Sequence, residues 1–197
     1  MHIIVDFDYT LFDTHALRQA LISVWKPFGV TAELFAAEEE KMKEVGSYEL
    51  EQHIAALIPE EHSEAAIAVA VELVAQGSQF VYSDAVDFLQ RYSDQILVLL
   101  SYGDPMWQKR KIDGSGLTDY VETVILTQRD KSEEIEAFPS TEKICIITDR
   151  GSEIDAMYTV RPDAYYVHVQ RPGTPYVTEV SEHTSFTATD LSFNLPL

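Results

Sequence analysis

Positive charge is scarce in this chain: 14 lysines and arginines stand against 33 acids in 197 residues, a formal charge of −19. A field of that sign opposes nonspecific attraction to nucleic acid and to anionic membrane surfaces, and reads as a solubility feature. It also means that an anionic ligand needs a metal ion or a local cationic cluster before it can enter a site. Cysteine is nearly absent. Cys145 stands alone inside the apolar run 144–147, which excludes an intramolecular disulfide or a cysteine metal cluster and reads as a buried structural thiol. No apolar stretch approaches the roughly 20 residues a membrane helix requires. The chain enters its first apolar run without a basic, cleavable leader, so a soluble cytoplasmic protein is expected. Internal repeats and low-complexity tracts are lacking too. What is present is 46% hydrophobic residues, enough to fill the core of one domain or of a core with a modest insertion.

Five short runs rich in Val, Ile, Leu or Tyr read as strands: 3–7, 96–100, 121–126, 144–148 and 164–169. They are nearly continuous rather than alternating, as expected for strands covered on both faces, which favours a parallel sheet. Helical segments fall between them at 105–112, 131–137 and 151–158, with 84–92 returning the chain to the sheet. The expected fold is α/β, a Rossmann-like doubly wound parallel sheet. The interval between the first two strands is too long for an ordinary crossover and reads as helix at 15–28, 32–45, 48–57 and 60–76. Pro27, Gly29, Gly46, Pro59 and Gly77 punctuate it, Thr31, Ser47 and Ser63 are candidate caps or first-turn residues, and Ile67, Val71 and Val74 recur at helical spacing. The expected division is a core of residues 1–14 and 83–197 with a helical cap insertion at 15–82. Residues 171–175 must form a loop, and the tail beyond is weakly patterned.

Asp6-Phe7-Asp8-Tyr9-Thr10 follows the apolar run Ile3-Ile4-Val5. Two carboxylates at the end of a buried strand are costly unless a cation or partner neutralises them. In extended chain residues 6 and 8 share a side while Phe7 returns to the core. The plain alternative is a turn with two solvated aspartates. Polar residues also follow the later strands: Ser101 after the second, Lys131 after the third, Asp149 after the fourth. A parallel sheet presents all these carboxyl ends on one edge, so the five could share a cleft. Carboxylate and carbonyl oxygens suit Mg²⁺, and a hydroxyl with an ammonium suits phosphate oxygens. One aspartate could then attack phosphorus while the second moves protons.

At this point the chain resembles the haloacid dehalogenase-like superfamily of phosphohydrolases. The resemblance rests on Asp6-Phe7-Asp8-Tyr9-Thr10-Leu11-Phe12, Leu99-Leu100-Ser101-Tyr102-Gly103, Lys131 and Ile146-Ile147-Thr148-Asp149-Arg150, in the family's order, and spans residues 1 to about 170. It implies Asp6 as nucleophile, Asp8 as general acid/base, and Ser101, with Tyr102 beside it, and Lys131 as phosphate ligands. It further implies Mg²⁺ held by Asp6, the Asp8 carbonyl and Asp149, under a helical cap of the C1 type that selects a small phosphorylated metabolite. Relatives without the second aspartate include the dehalogenases, so Asp8 points to phosphoryl chemistry. The fourth motif departs from the pattern: Thr148 stands where glycine is frequent, and Glu153, with Asp155 in reserve, is the candidate for the following acid. A glutamate in a helix's first turn is equally explained by the helix dipole. Lys109 competes with Lys131, but it shares an amphipathic helix with Lys111 and reads as surface. Arg18, Lys26, Lys41 and Lys43 are basic exceptions in the acidic insertion, and Arg18 is the candidate for substrate contact. Tyr9 and Phe12 are candidates for the entrance. Receiver domains, which also form acyl phosphates, place the phosphorylated aspartate after the third strand and lack the insertion. A noncatalytic relative that binds a phosphorylated metabolite or a protein partner is the remaining alternative.

Overall fold

The computed structural model describes residues 1–45 and 48–196. Gly46 and the expected cap at Ser47 lie outside the described residues, as does the side chain of Lys43. Six parallel strands form one sheet in the order β3-β2-β1-β4-β5-β6, with β1 at His2–Val5, β2 at Ile96–Tyr102, β3 at Thr123–Thr127, β4 at Ile144–Thr148, β5 at Tyr165–Val169 and β6 at Phe186–Ala188. The doubly wound architecture follows from side-chain alternation. Ile3, Val5, Leu97, Leu99, Cys145 and Ile147 enter one apolar cluster, whereas Ile4, Val98, Leu100 and Ile146 enter the other. With both faces of the central strands covered, successive positions such as Ile3 to Val5, Leu97 to Leu100 and Ile144 to Ile147 are apolar, and the continuous runs of the sequence result. The chain order reverses between β1 and β4, the switch point at which open α/β sheets leave a crevice.

Among the described residues there are eight α-helices: α1 (Thr14–Trp25), α2 (Ala32–Val45), α3 (Leu50–Leu57), α4 (Glu60–Ala75), α5 (Ala85–Arg91), α6 (Pro105–Ser115), α7 (Lys131–Glu136) and α8 (Gly151–Val160). Three of them start on aspartate caps. Asp13, Asp104 and Asp130 accept backbone N–H bonds from Ala16, Trp107 and Ser132 at 2.9, 2.7 and 2.8 Å. Residues 26–28, expected within the first helix, form a separate 3₁₀ turn because Pro27 cannot continue the α-helical ladder. Thr31 caps α2, its Oγ1 accepting from Leu34 N at 3.3 Å. The buried stripe of α4 is Ala66, Ala70 and Val74, with Ile67 and Val71 only half-buried. Small residues there let α1 approach, and Trp25 Nε1 donates to Ala66 O at 3.0 Å.

Helices α1 to α4 all lie between β1 and β2, and α4 packs against α6. At this crossing a Cβ on Gly114 would stand 1.8 Å from Val74 O, so only glycine fits. The segments leaving and re-entering the sheet pair with each other: Asp13 N donates to Phe80 O at 2.7 Å and Tyr82 N to Leu11 O at 3.0 Å. Arg171, in the expected 171–175 loop, ties this junction down. Its guanidinium donates to Thr10 O at 3.0 and 2.8 Å and to Asp84 at 3.1 and 2.8 Å, and lies 3.8 Å from the Tyr82 ring centroid. Burial alone would push the Asp84 carboxyl up, but Arg171 and the Leu191 N–H hold it below the ordinary range.

Strand β6 is a departure from the sequence reading. It is short and partly exposed, so no apolar run announces it, and it exists because β5 offers an open edge. Among the described residues no helix is long and apolar enough to cross a membrane.

Candidate active site

A cavity of about 700 Å³ opens above the carboxyl ends of the central strands, between them and α1, α2 and α6. Strand β1 ends at Val5, the Asp6 amide makes one more bond to β4 at Ile147 O, 2.9 Å away, and residues 7–12 then form a tight turn rather than further strand. The amides of Thr10, Leu11 and Phe12 all donate to Phe7 O, at 3.3, 3.0 and 3.0 Å. Phe7 is fully buried and stacks on Phe12 at 4.7 Å, which places Phe12 in the core rather than at the entrance. Tyr9, at φ 58°, takes the left-handed conformation that lets the turn close, and its side chain lines the cavity.

Asp6 and Asp8 both line the cavity and have different partners. Lys131, at the start of α7 and itself buried, bridges Asp6 Oδ1 and Glu153 Oε2, 2.8 Å from each. Thr148 Oγ1 donates to Glu153 at 3.0 Å and lies 3.4 Å from Asp6 Oδ2. Asp8 is held by Lys111 Nζ at 2.6 Å, by Gln108 Nε2 at 2.9 Å and by the Thr14 hydroxyl. Gln108 also donates to Tyr102 O at 2.7 Å, which links the turn after β1 to the end of β2.

The electrostatics separate the two aspartates. Burial pushes Asp6 up to about 6, with Glu153 and Asp8 adding to the effect and Lys131 opposing it. For Asp8, burial acts upward as well, but Lys111, with the bonds from Thr14 and Gln108, brings the carboxyl below its usual value. Asp149 lies well above the usual carboxylate range, first from burial and then from the charge of Asp6. Its Oδ2 is buried with no hydrogen-bond partner, while its backbone carbonyl accepts from, or faces, His168 Nε2 at 3.0 Å.

Two buried carboxylates, Asp149 raised by the charge of Asp6 and bearing an orphaned oxygen, suit a hard divalent cation. Among the described residues no three His, Cys, Asp or Glu side chains gather as a metal cluster. A cation would therefore rest on Asp6 and Asp149, completed by a backbone carbonyl and water, a set compatible with Mg²⁺.

The remaining site residues divide. Tyr102 and Glu153 line the cavity, and Glu153 meets Lys131. Ser101 is 1% exposed, does not line the cavity, and its Oγ lacks a partner. Asp155 faces away to Ser181 at 2.5 Å. Arg18 lines the cavity paired with Glu39. Lys41, 69% exposed, pairs with Glu38 at 2.7 Å, and Lys26 is exposed. Lys109 pairs with Asp113 on the exposed side of α6. Gln108 and Trp107 are not among the candidates the sequence offers, and Lys111 enters there only as the neighbour of Lys109 on an amphipathic helix. Residues 107, 108, 111, 112 and 115 form the buried stripe of α6 in the structure, and with Gln, Lys and Ser in that stripe no apolar pattern marks the face from sequence.

Every cation among the described residues lining the cavity has a carboxylate partner: Arg18 with Glu39, Lys111 with Asp8, Lys131 with Asp6 and Glu153, and Arg150 with Glu153 at 3.7 Å.

No family model and no curated protein sequence matches the chain. Solved structures do match. A protein assigned as a haloacid dehalogenase-like hydrolase from Burkholderia xenovorans superposes with a TM-score of 0.74 at 20% identity, over 96% of this chain and 92% of that one. The chain has the haloacid dehalogenase-like fold. A HAD-hydrolase from Bacillus subtilis, bound to magnesium and showing interdomain movement, matches with a TM-score of 0.65 at 15% identity over 96% and 94% of the two chains. L-2-haloacid dehalogenase from Xanthobacter autotrophicus matches at 0.64 and 15% over the same shares. The haloacid dehalogenase-like fold accounts for the six-stranded parallel order, and the turn after β1 brings Asp6 to its switch point.

Proposed function

We propose that this chain is a Mg²⁺-dependent phosphatase that hydrolyses a small organic phosphate monoester through an acyl phosphate on Asp6. The observation that carries this reading is the buried Asp6 carboxylate, 2.8 Å from the Lys131 ammonium and in electrostatic contact with the orphaned carboxylate of Asp149. In the first half-reaction an Asp6 oxygen attacks phosphorus and the bond to the leaving oxygen breaks, with Asp8 giving that oxygen a proton. In the second, water attacks phosphorus while Asp8 takes back a proton, inorganic phosphate leaves, and Asp6 is restored. Lys111 favours the carboxylate form of Asp8, which makes its protonated form a strong donor toward the leaving oxygen in the first half-reaction and its carboxylate the acceptor of the proton from water in the second. Lys131 orients Asp6 and offsets the charge that would repel an approaching phosphate. Mg²⁺, when bound by Asp6, Asp149 and the Asp8 carbonyl, would offset the remainder. Helices α1 to α4 act as a cap over the cavity in this reading, with residues 1–14 and 83–197 as the core, and exclude water during transfer.

The test is phosphate release from a panel of monoesters with and without Mg²⁺, run beside chloride release from 2-chloropropionate, since two of the similar folds named above differ as hydrolase and haloacid dehalogenase. Metal-dependent phosphate release, reduced by roughly a thousandfold or more in Asp6→Asn, is the expected result. No turnover across the panel, full activity in Asp6→Asn, or chloride release alone would overturn the assignment.

A further inference from the structure

The walls above the carboxylates carry aromatic side chains on two sides. On one, Tyr48 and Trp107 lie with ring centroids 6.1 Å apart; on the other, Tyr9 meets Tyr176 edge-on at 6.0 Å. Tyr48 is fixed in place, its hydroxyl 3.1 Å from His53 Nδ1 and its ring edge-on to that imidazole. Tyr102, 39% exposed, stands at the rim. Tyr48 and Trp107, the latter only 5% exposed, and the Tyr9–Tyr176 pair are held by protein contacts, so where they border the cavity little ordering remains to be done on binding a flat ring. Charge narrows the class further. Carboxylates outnumber cations around the cavity, and each of its cations is paired, so beyond the phosphoryl position no uncommitted cation among the described residues lining it meets a second anionic group. A further carboxylate or phosphate on the ligand would lose its hydration and face net negative charge.

We infer that the site selects phosphate monoesters whose leaving group is an aromatic ring bearing no further anionic group, an inference that rests on the phosphatase reading. The ring stacks against Tyr48 and Trp107 while the phosphoryl group reaches Asp6 and Lys131.

Calorimetric titration of the wild-type protein with phosphonates, whose carbon–phosphorus bond this chemistry does not cleave, separates binding from turnover. With Mg²⁺ present the probes are benzylphosphonate, butylphosphonate, 4-carboxybenzylphosphonate and inorganic phosphate. Benzylphosphonate is expected to bind roughly tenfold more tightly than butylphosphonate, and the added carboxylate to abolish that gain. Trp107→Leu should erase the preference while leaving inorganic phosphate binding within about twofold, and Tyr102→Ala, at an exposed position, should reduce it without risk to folding. Butylphosphonate binding as tightly as benzylphosphonate, or a folded Trp107→Leu that keeps the preference, would overturn the aromatic class alone, and equal binding of the carboxybenzyl probe would overturn the exclusion of a further anionic group. If neither phosphate nor any phosphonate binds, the phosphatase reading falls and this inference with it.

Discussion

Lys109 and Lys111 stand two positions apart on α6 and meet opposite fates. Two residues advance about 200° around a helix, so the pair cannot share a face. Lys109 is 67% exposed at its side chain beside Asp113, whereas Lys111 is 4% exposed and reaches Asp8 at 2.6 Å. Gln108, three residues before Lys111, falls on the same side and contacts the same carboxylate. We expect Lys111→Met to lower kcat on a good monoester by roughly a hundredfold, with KM changed by less than the stacking worth of about tenfold, because Asp8 loses its orienting partner rather than the substrate its pocket. Steady-state kinetics with Lys111→Arg as the conservative control would check this. An unchanged kcat in Lys111→Met would remove the residue from the chemistry.

At the scale of elements, two contacts fix the helical insertion. The α4–α6 crossing depends on Gly114, where a methyl group would meet the Val74 carbonyl. Gly114→Ala should destabilise the protein by about 2 kcal/mol, visible as a lower urea midpoint, because backbone rather than a flexible side chain must move. The second contact is the cage of Trp25, Phe35 and Tyr48 around His53, which is fully buried. Burial there lowers the imidazole from 6.5 to about 4. A histidine with its folded value depressed contributes fully above the unfolded value and loses that contribution as pH falls toward the folded one. Between pH 7 and pH 5 this amounts to about 2 kcal/mol. Urea unfolding at both pH values, with His53→Phe as reference, should show that slope diminished in the variant; equal slopes would remove His53 as its source.

Across the whole molecule the excess of acid works through one locality. A formal charge of −19 draws cations to the surface generally, but Asp6 and Asp149 form a buried pair whose repulsion the proposed Mg²⁺ would relieve. At roughly a hundredfold excess over Kd, Mg²⁺ should raise the melting temperature by about 5 °C. Asp149→Asn should abolish the shift and, without metal, melt no lower than the wild type because it removes a buried like-charge contact. A shift of equal size in Asp149→Asn would mean that the ion acts through the general surface charge.

The sequence alone was sufficient for the parallel sheet, its two-sided cover and the edge on which polar residues gather, because each depends on local alternation and on where apolar runs stop. It also marked Asp6, Asp8 and Asp149, since charge at the end of a buried strand is costly wherever the chain goes next, and Lys131 by its place between the third and fourth strands. Tertiary structure decided what those rules do not encode. It formed β6 from three residues with no apolar run, because an open strand edge was available to pair. It set Ser101 beneath the cavity rather than in its wall, and it turned Lys111 inward to Asp8, since which face of α6 is covered depends on a sheet and an insertion distant in sequence. The Asp6–Asp8 turn gained its meaning in the same way: only Phe7 separates the two carboxylates in the chain, yet burial raises Asp6 against the pull of Lys131, while Lys111 of α6 helps bring Asp8 below its usual value.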